Sequence, residues 1–163
     1  MASGRMAHLG LSNSLLFEGS DFSDHEGVNS LLADPGNFPL VLYPDPEALP
    51  VQEALAGLPE GKQPVIFLFD GTWRSAPQMR RLSRNLLGLP TVKLQPARPS
   101  GFLEVRPQPR AECLSTLEAI HAVLDRLWVQ EPAAGRPHDN LLVVFERMVA
   151  IQMSYLARAD HGR

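Results

Sequence analysis

The sequence predicts an α/β fold, a mostly parallel sheet flanked by helices, and three observations carry that prediction. Apolar runs of strand length, Phe38-Pro-Leu-Val-Leu-Tyr-Pro44 and Val65-Ile-Phe-Leu-Phe69, alternate with stretches of helical period such as Gln52 to Leu58 and Arg74 to Arg84. The strand runs are continuously apolar, as expected of strands buried on both faces. Breakers fall between them: Asp34-Pro-Gly36, Pro44, Pro46, Pro59, Gly61, Gly88 and Pro90. At 163 residues, with 44% hydrophobic and 20% charged content, the chain is expected to form one domain over 1–163 with a substantial core.

Taken in order, Met6 to Leu11 has a short helical apolar pattern. Ser14-Leu-Leu-Phe17 is predicted as a short strand ahead of an acidic loop, Glu18 to Glu26. Val28 to Ala33 reads as a helix closed by the Asp34-Pro-Gly36 turn. Phe38 to Pro44 is the first long strand, Gln52 to Leu58 the next helix, and Val65 to Phe69 the second long strand. The helix of Arg74 to Arg84 contains Pro77, tolerated only in a first turn. Either Ser75 is its N-cap or that turn is distorted. Met79, Leu82 and Leu86 give it an apolar stripe beside Arg80, Arg81 and Arg84. Val92 to Leu94 and Phe102 to Val105 are short strand candidates. Leu114-Ser-Thr-Leu-Glu-Ala119 opens a helix with a capping box, Ser115 and Glu118, and a stripe of Leu117, Ile120, Leu124 and Leu127. Glu131 to Pro137 reads as a linker. A last helix, Asp139 to Ala157, is apolar around much of its circumference and is expected to pack across the sheet.

Composition limits the chemistry. The net charge of −3 gives no global case for nucleic acid, so a basic surface must be local. One cysteine, Cys113, excludes an internal disulfide framework and a cysteine-cluster zinc site. No signal-like start and no long apolar span stand out, so a cytoplasmic protein without a membrane role is expected. The five histidines, 8, 25, 121, 138 and 161, form no pair at ligand spacing, and no metal is expected. Neither glycine-rich phosphate cradle nor a Gly-x-Ser-x-Gly elbow occurs. What remains is the corner Asp70-Gly-Thr-Trp73 at a strand's carboxyl end, where ligands bind in open α/β sheets, together with Arg106 and the Ser115–Glu118 corner. Each has a plain structural reading as well: Asp70 a turn-former, Trp73 a core residue, Ser115 and Glu118 a cap.

Asp70-Gly-Thr-Trp73 with Ala76 and Met79, followed by Arg106 and Leu114-Ser-Thr-Leu-Glu-Ala119, resembles the DTW-domain family, which includes the tRNA-uridine aminocarboxypropyltransferases. Ser3-Gly-Arg5 resembles its Thr-Gly-Arg segment, with Ser3 in place of the usual Thr, and Val41-Leu-Tyr-Pro44 its strand-Pro segment. Many members carry a cysteine-rich, zinc-binding segment and a first strand ahead of these positions; this sequence starts after both, as a shortened or incomplete member would.

The resemblance implies a SPOUT-like fold with a C-terminal knotted cofactor pocket. The implied reaction transfers the 3-amino-3-carboxypropyl group of S-adenosylmethionine to N3 of a uridine in tRNA. Asp70 is then the base, with Thr72 and Trp73 beside it in the catalytic corner and Trp73 a stacking face for adenine or the target base. Arg106 pairs with the methionine carboxylate or an RNA phosphate. Ser115 and Thr116, with Leu114 and Glu118, offer donors at a helix start. Leu42, Tyr43, Pro44, Phe69 and Gly71 complete the implied cofactor wall. Arg5, Arg74, Arg80, Arg81 and Arg84 are the local basic patch for a tRNA backbone, or else a solvated helix face. The competing expectations are a SPOUT-type RNA methyltransferase, an aminocarboxypropyltransferase acting on ribosomal RNA, and a non-catalytic RNA-binding module. Nothing in the residues sets an oligomeric state.

Overall fold

The computed structural model describes residues 3–72, 74–96, 100–101, 113–130 and 135–160. Its contacts divide into two compact units: Leu16–Gln95, and a second made of Met1–Leu15 with Pro96–Arg163.

The first unit holds the sheet. Its strands are β1 (Asn37–Leu42), β2 (Leu49–Pro50), β3 (Gln63–Leu68) and β4 (Thr91–Lys93), in the order β2-β4-β1-β3, and every pairing is parallel. Parallel neighbours need crossover segments, and helices supply them: α2 (Glu26–Ala33) precedes β1, α3 (Val51–Ala56) lies between β2 and β3, and α4 (Ser75–Leu82) with α5 (Arg84–Leu87) lies between β3 and β4. β1 is central, and Leu40 and Val41 are fully buried there. Pro39 sits in this strand without breaking a ladder. The N–H groups that turn toward β4 are those of Val41, to Pro90, and Tyr43, to Val92. Pro39 would be the next in that series, but β4 begins only opposite Val41, so no ladder bond is lost. Gly61, with φ of 75°, supplies the left-handed turn into β3.

Side chains alternate across a strand, so Val41, Tyr43, Phe67 and Phe69 share a face. That face packs with Phe22, Val28 of α2, Met79 of α4 and Leu86 of α5. β3 differs from its expectation. It was predicted to be buried on both faces, but it lies at the edge of the described sheet and every residue in it keeps some exposure.

The predicted single helix over Arg74–Arg84 is two helices. Ser83 breaks it because its buried hydroxyl donates to Met79 O at 2.8 Å and accepts the Phe22 N–H at 3.2 Å. Ser23 closes the other side of the break, donating to Leu82 O and accepting the Arg84 N–H, both at 3.0 Å.

The second unit is helical in its described residues: α1 (Ser3–Leu9), α6 (Thr116–Gln130), a 3-10 turn (Pro137–Asp139) and α7 (Asn140–Asp160). Its core is Ala7, Leu117, Leu141, Phe145 and Met148. The buried face of α7 meets helices α1 and α6. The predicted strand at Ser14–Phe17 does not form: the Ser14 hydroxyl closes α1, contacting His8 Nδ1 at 2.8 Å and donating to Leu11 O at 3.3 Å. Pro137, expected in the linker, starts the 3-10 turn. Among the described residues there is one helical stretch, Pro137–Arg158, long and apolar enough by length and composition to cross a membrane, where none was expected. The strand candidate Phe102–Val105 lies outside the described residues.

Candidate functional site

β1 and β3 are neighbours in register, Leu42 beside Leu68, so the chain leaves both strands at the same edge. Leu42, Tyr43 and Pro44 on one strand end are thereby set beside Phe69, Asp70, Gly71 and Thr72 on the other. Phe69 and Tyr43 belong to the packed face below the corner, while Gly71 and Thr72 are exposed and Asp70 is half-buried.

The corner is held by a reciprocal pair. Ser75 Oγ accepts the Thr72 N–H at 2.8 Å, and Thr72 Oγ1 accepts the Ser75 N–H at 3.1 Å. Thr72 O also takes the Ala76 N–H at 3.0 Å. The pair closes the turn that leads into α4, in which Pro77 is the third residue and so inside the first turn. Thr72, expected in the catalytic corner, is thus engaged in the turn that precedes α4. Ser75 is the residue that the sequence reading missed as its partner, although the spacing of two hydroxyls three residues apart carried the signal. Gly71 is required by this closure: a Cβ there would stand 2.6 Å from Ser75 Oγ, an atom fixed by its cap bond, and 3.5 Å from Met79 Sδ.

The basic patch divides. Arg80, predicted to face RNA, is committed to its own unit: Nη1 donates to Asp45 at 3.2 Å, Nη2 to Thr91 Oγ1 at 3.3 Å, and the guanidinium lies 4.4 Å over the Tyr43 ring. It ties α4 to the ends of β1 and β4. The Glu47 N–H, and after it Arg80, hold the Asp45 carboxyl below its usual range. Arg74, Arg81 and Arg84 are exposed in the same unit. Arg5 is exposed on α1 in the other unit.

The second predicted corner lies in the helical unit. The Ser115–Glu118 capping box forms as expected: Glu118 Oε2 accepts the Ser115 N–H at 2.9 Å and its hydroxyl at 2.7 Å, and Ser115 Oγ accepts the Glu118 N–H at 3.3 Å. The same carboxylate accepts the Ser100 hydroxyl and, at 2.9 Å, the Gly101 N–H. Glu118 therefore pins residues 100–101 to the start of α6, and the donors of Ser115 expected for a cofactor are engaged by it. Leu114 and Thr116 flank it, half-buried. Trp73 and Arg106 lie outside the described residues.

One further gathering was not expected. His121 on α6 and His138 in the 3-10 turn stand with ring centroids 5.2 Å apart, beside Asp125 and Asp139.

A family model described as the DTW domain matches residues 1–153, which span both units. No solved structure matches the chain significantly.

Proposed function

The chain belongs to the DTW-domain family, to which the tRNA-uridine aminocarboxypropyltransferases are related, and we propose that it transfers a 3-amino-3-carboxypropyl group from S-adenosylmethionine to N3 of a uridine in tRNA. The observation that carries this reading is the convergence of Leu42–Pro44 and Phe69–Thr72 at the carboxyl ends of two adjacent parallel strands. Ligands of open α/β sheets bind there, and this corner offers a half-buried carboxylate next to an exposed glycine backbone.

Bound S-adenosylmethionine would supply an electrophilic γ-carbon attached to a sulfonium leaving group. Asp70 accepts the N3 proton as the N3–Cγ bond forms, and the electrons of the breaking Cγ–S bond leave with methylthioadenosine. Gly71 lets a ligand approach the backbone closely, and the Thr72–Ser75 pair fixes where Asp70 stands relative to α4. Trp73 and Arg106 keep the roles that the resemblance gives them, stacking and carboxylate pairing. The start of α6 contributes order, through Glu118, to the segment beginning at Ser100. Arg74, Arg81 and Arg84 take the tRNA backbone. A SPOUT-like knotted pocket and a cytoplasmic setting belong to the same proposal; a cofactor-bound structure with Leu114 to Glu118 against the ligand would support the pocket.

The test is mass spectrometry of nucleosides from tRNA incubated with the protein and S-adenosylmethionine. Aminocarboxypropyluridine with methylthioadenosine is the expected pair. Methylated nucleoside with S-adenosylhomocysteine would overturn the transferred group, and absence of S-adenosylmethionine binding in calorimetry would overturn the enzyme reading. Asp70→Asn is expected to bind the cofactor and lose uridine modification; full modification by this variant would remove Asp70 as the base.

A further inference from the structure

His121 and Asp125 lie one turn apart on α6 and so share a face. The 3-10 turn brings His138 and Asp139 against that face. His121 Nε2 is 2.8 Å from Asp139 Oδ1, and His138 Nε2 is 3.6 Å from Asp125 Oδ1 and 3.9 Å from Asp139 Oδ1. The donor atoms of His121, His138 and Asp139 all lie within 4.8 Å of one another. Donors bound at zinc-like distances around a tetrahedral ion stand about 3.3–3.6 Å apart, so the observed separations bracket that spacing.

Ion pairing alone leaves part of this arrangement unexplained. His138 is 6% exposed, and its Nε2 is buried without a hydrogen-bond partner while facing two carboxylate oxygens. Asp125 Oδ1, also buried, is paired with Arg136 Nη2 at 2.5 Å, which leaves the His138 nitrogen as the atom without a hydrogen bond. Buried polar atoms are normally paired, and an imidazole nitrogen gathered with carboxylate oxygens is a donor set that a metal ion takes. The Trp128 ring, 5.4 Å from that of His138, packs against this imidazole. Arg136 meets both carboxylates, reaching Asp139 at 2.9 and 3.1 Å, but its side chain is 46% exposed and precedes the turn, so it can swing out to solvent.

We propose that His121, Asp125, His138 and Asp139 form a site for a divalent transition-metal ion of the zinc type, with Arg136 as the competing cation for its carboxylates. Two imidazoles and two carboxylates suit zinc or cobalt better than magnesium or calcium, which prefer all-oxygen shells. The site is independent of the uridine chemistry and is tested without tRNA.

The experiment titrates zinc into the full chain at neutral pH by calorimetry and cobalt(II) by visible absorption, with circular dichroism of every variant as the check on folding. Expected are one ion per chain and a cobalt spectrum of tetrahedral intensity. His121→Gln and Asp139→Asn should each weaken binding 10–100-fold. Arg136→Gln should tighten it, because the competitor is gone, whereas an ion-pair network without a metal role predicts lost stability and no uptake. A variant with His8, His25 and His161 all changed to Gln should bind as the parent does. Absence of uptake by the parent, unchanged uptake in His121→Gln, or weaker uptake in Arg136→Gln would each overturn the site. Should His121→Gln fail to fold, the arginine and triple-histidine variants decide it.

Discussion

The hydroxyl of Ser83 is fully buried and serves two backbone groups at once, accepting from Phe22 and donating to Met79. Ser83→Ala would leave the Phe22 N–H without its acceptor, and a loss of about 1–3 kcal/mol is expected in urea unfolding. A serine in mid-helix looks like any other in a sequence, and its partner lies 61 residues away. Gly71 is a different case. Gly71→Ala drives a Cβ toward Ser75 Oγ and displaces the cap on the Thr72 N–H. A loss of about 1 kcal/mol is expected, together with a larger fall in uridine modification because Asp70 is its neighbour. If activity falls no further than stability explains, the glycine serves the helix start alone. The Asp70 corner was legible because its signals are local: a strand that stops, a carboxylate, a glycine and hydroxyls at capping distance. The engagement of Arg80 with Asp45, 35 residues apart, was not.

At the scale of elements, α4 and α5 carry arginines of two kinds, and salt separates them. Arg81→Ala or Arg84→Ala should lower tRNA affinity and reduce the slope of log K against log salt. The reduction is about 0.7 for each single-strand phosphate no longer neutralised and about 0.9 for each duplex one. Arg80→Ala should leave that slope alone and lower the melting temperature, since it frees α4 from β1 and β4. The same tie has a sign with pH. The Asp45 carboxyl is held below its ordinary value by the Glu47 N–H and then Arg80. Its stabilising effect is complete above the ordinary carboxylate range and disappears as pH falls through the lowered folded value. Acid unfolding below about pH 4 should therefore become shallower in Asp45→Asn. In the helical unit, Glu118→Ala strips acceptors from Ser100, Gly101 and Ser115 together. A loss of about 2–3 kcal/mol is expected by thermal unfolding, with a smaller loss in Glu118→Gln, whose single amide oxygen can replace only one of the two accepting oxygens. The capping box was readable from spacing; its reach to Ser100 required the fold.

For the whole molecule, the alternation of strands and helices predicted the parallel sheet, and the described strands bear that out. The partners of α7 within its unit, α1 and α6, were not legible because a helix apolar on several sides fits a sheet and a helical core equally well. The histidines looked scattered because spacing along a chain says nothing of a turn that folds residue 138 back onto residue 121. The helical unit is assembled from the two ends of the sequence: Ala7 packs with Leu117, Leu141 and Phe145, while the sheet unit is one continuous stretch. A ribosome makes chains from one end. At about 5–20 residues per second, α1 leaves the ribosome on the order of 5–20 s before α6 exists to receive it. A helix of seven residues does not persist alone in water. Stalled nascent chains should show protease resistance in residues 16–95 while Arg5 remains cleavable, and Arg5 should become protected only once α7 has been made. During that interval α1 is a client for whatever escorts unfinished proteins in the cell.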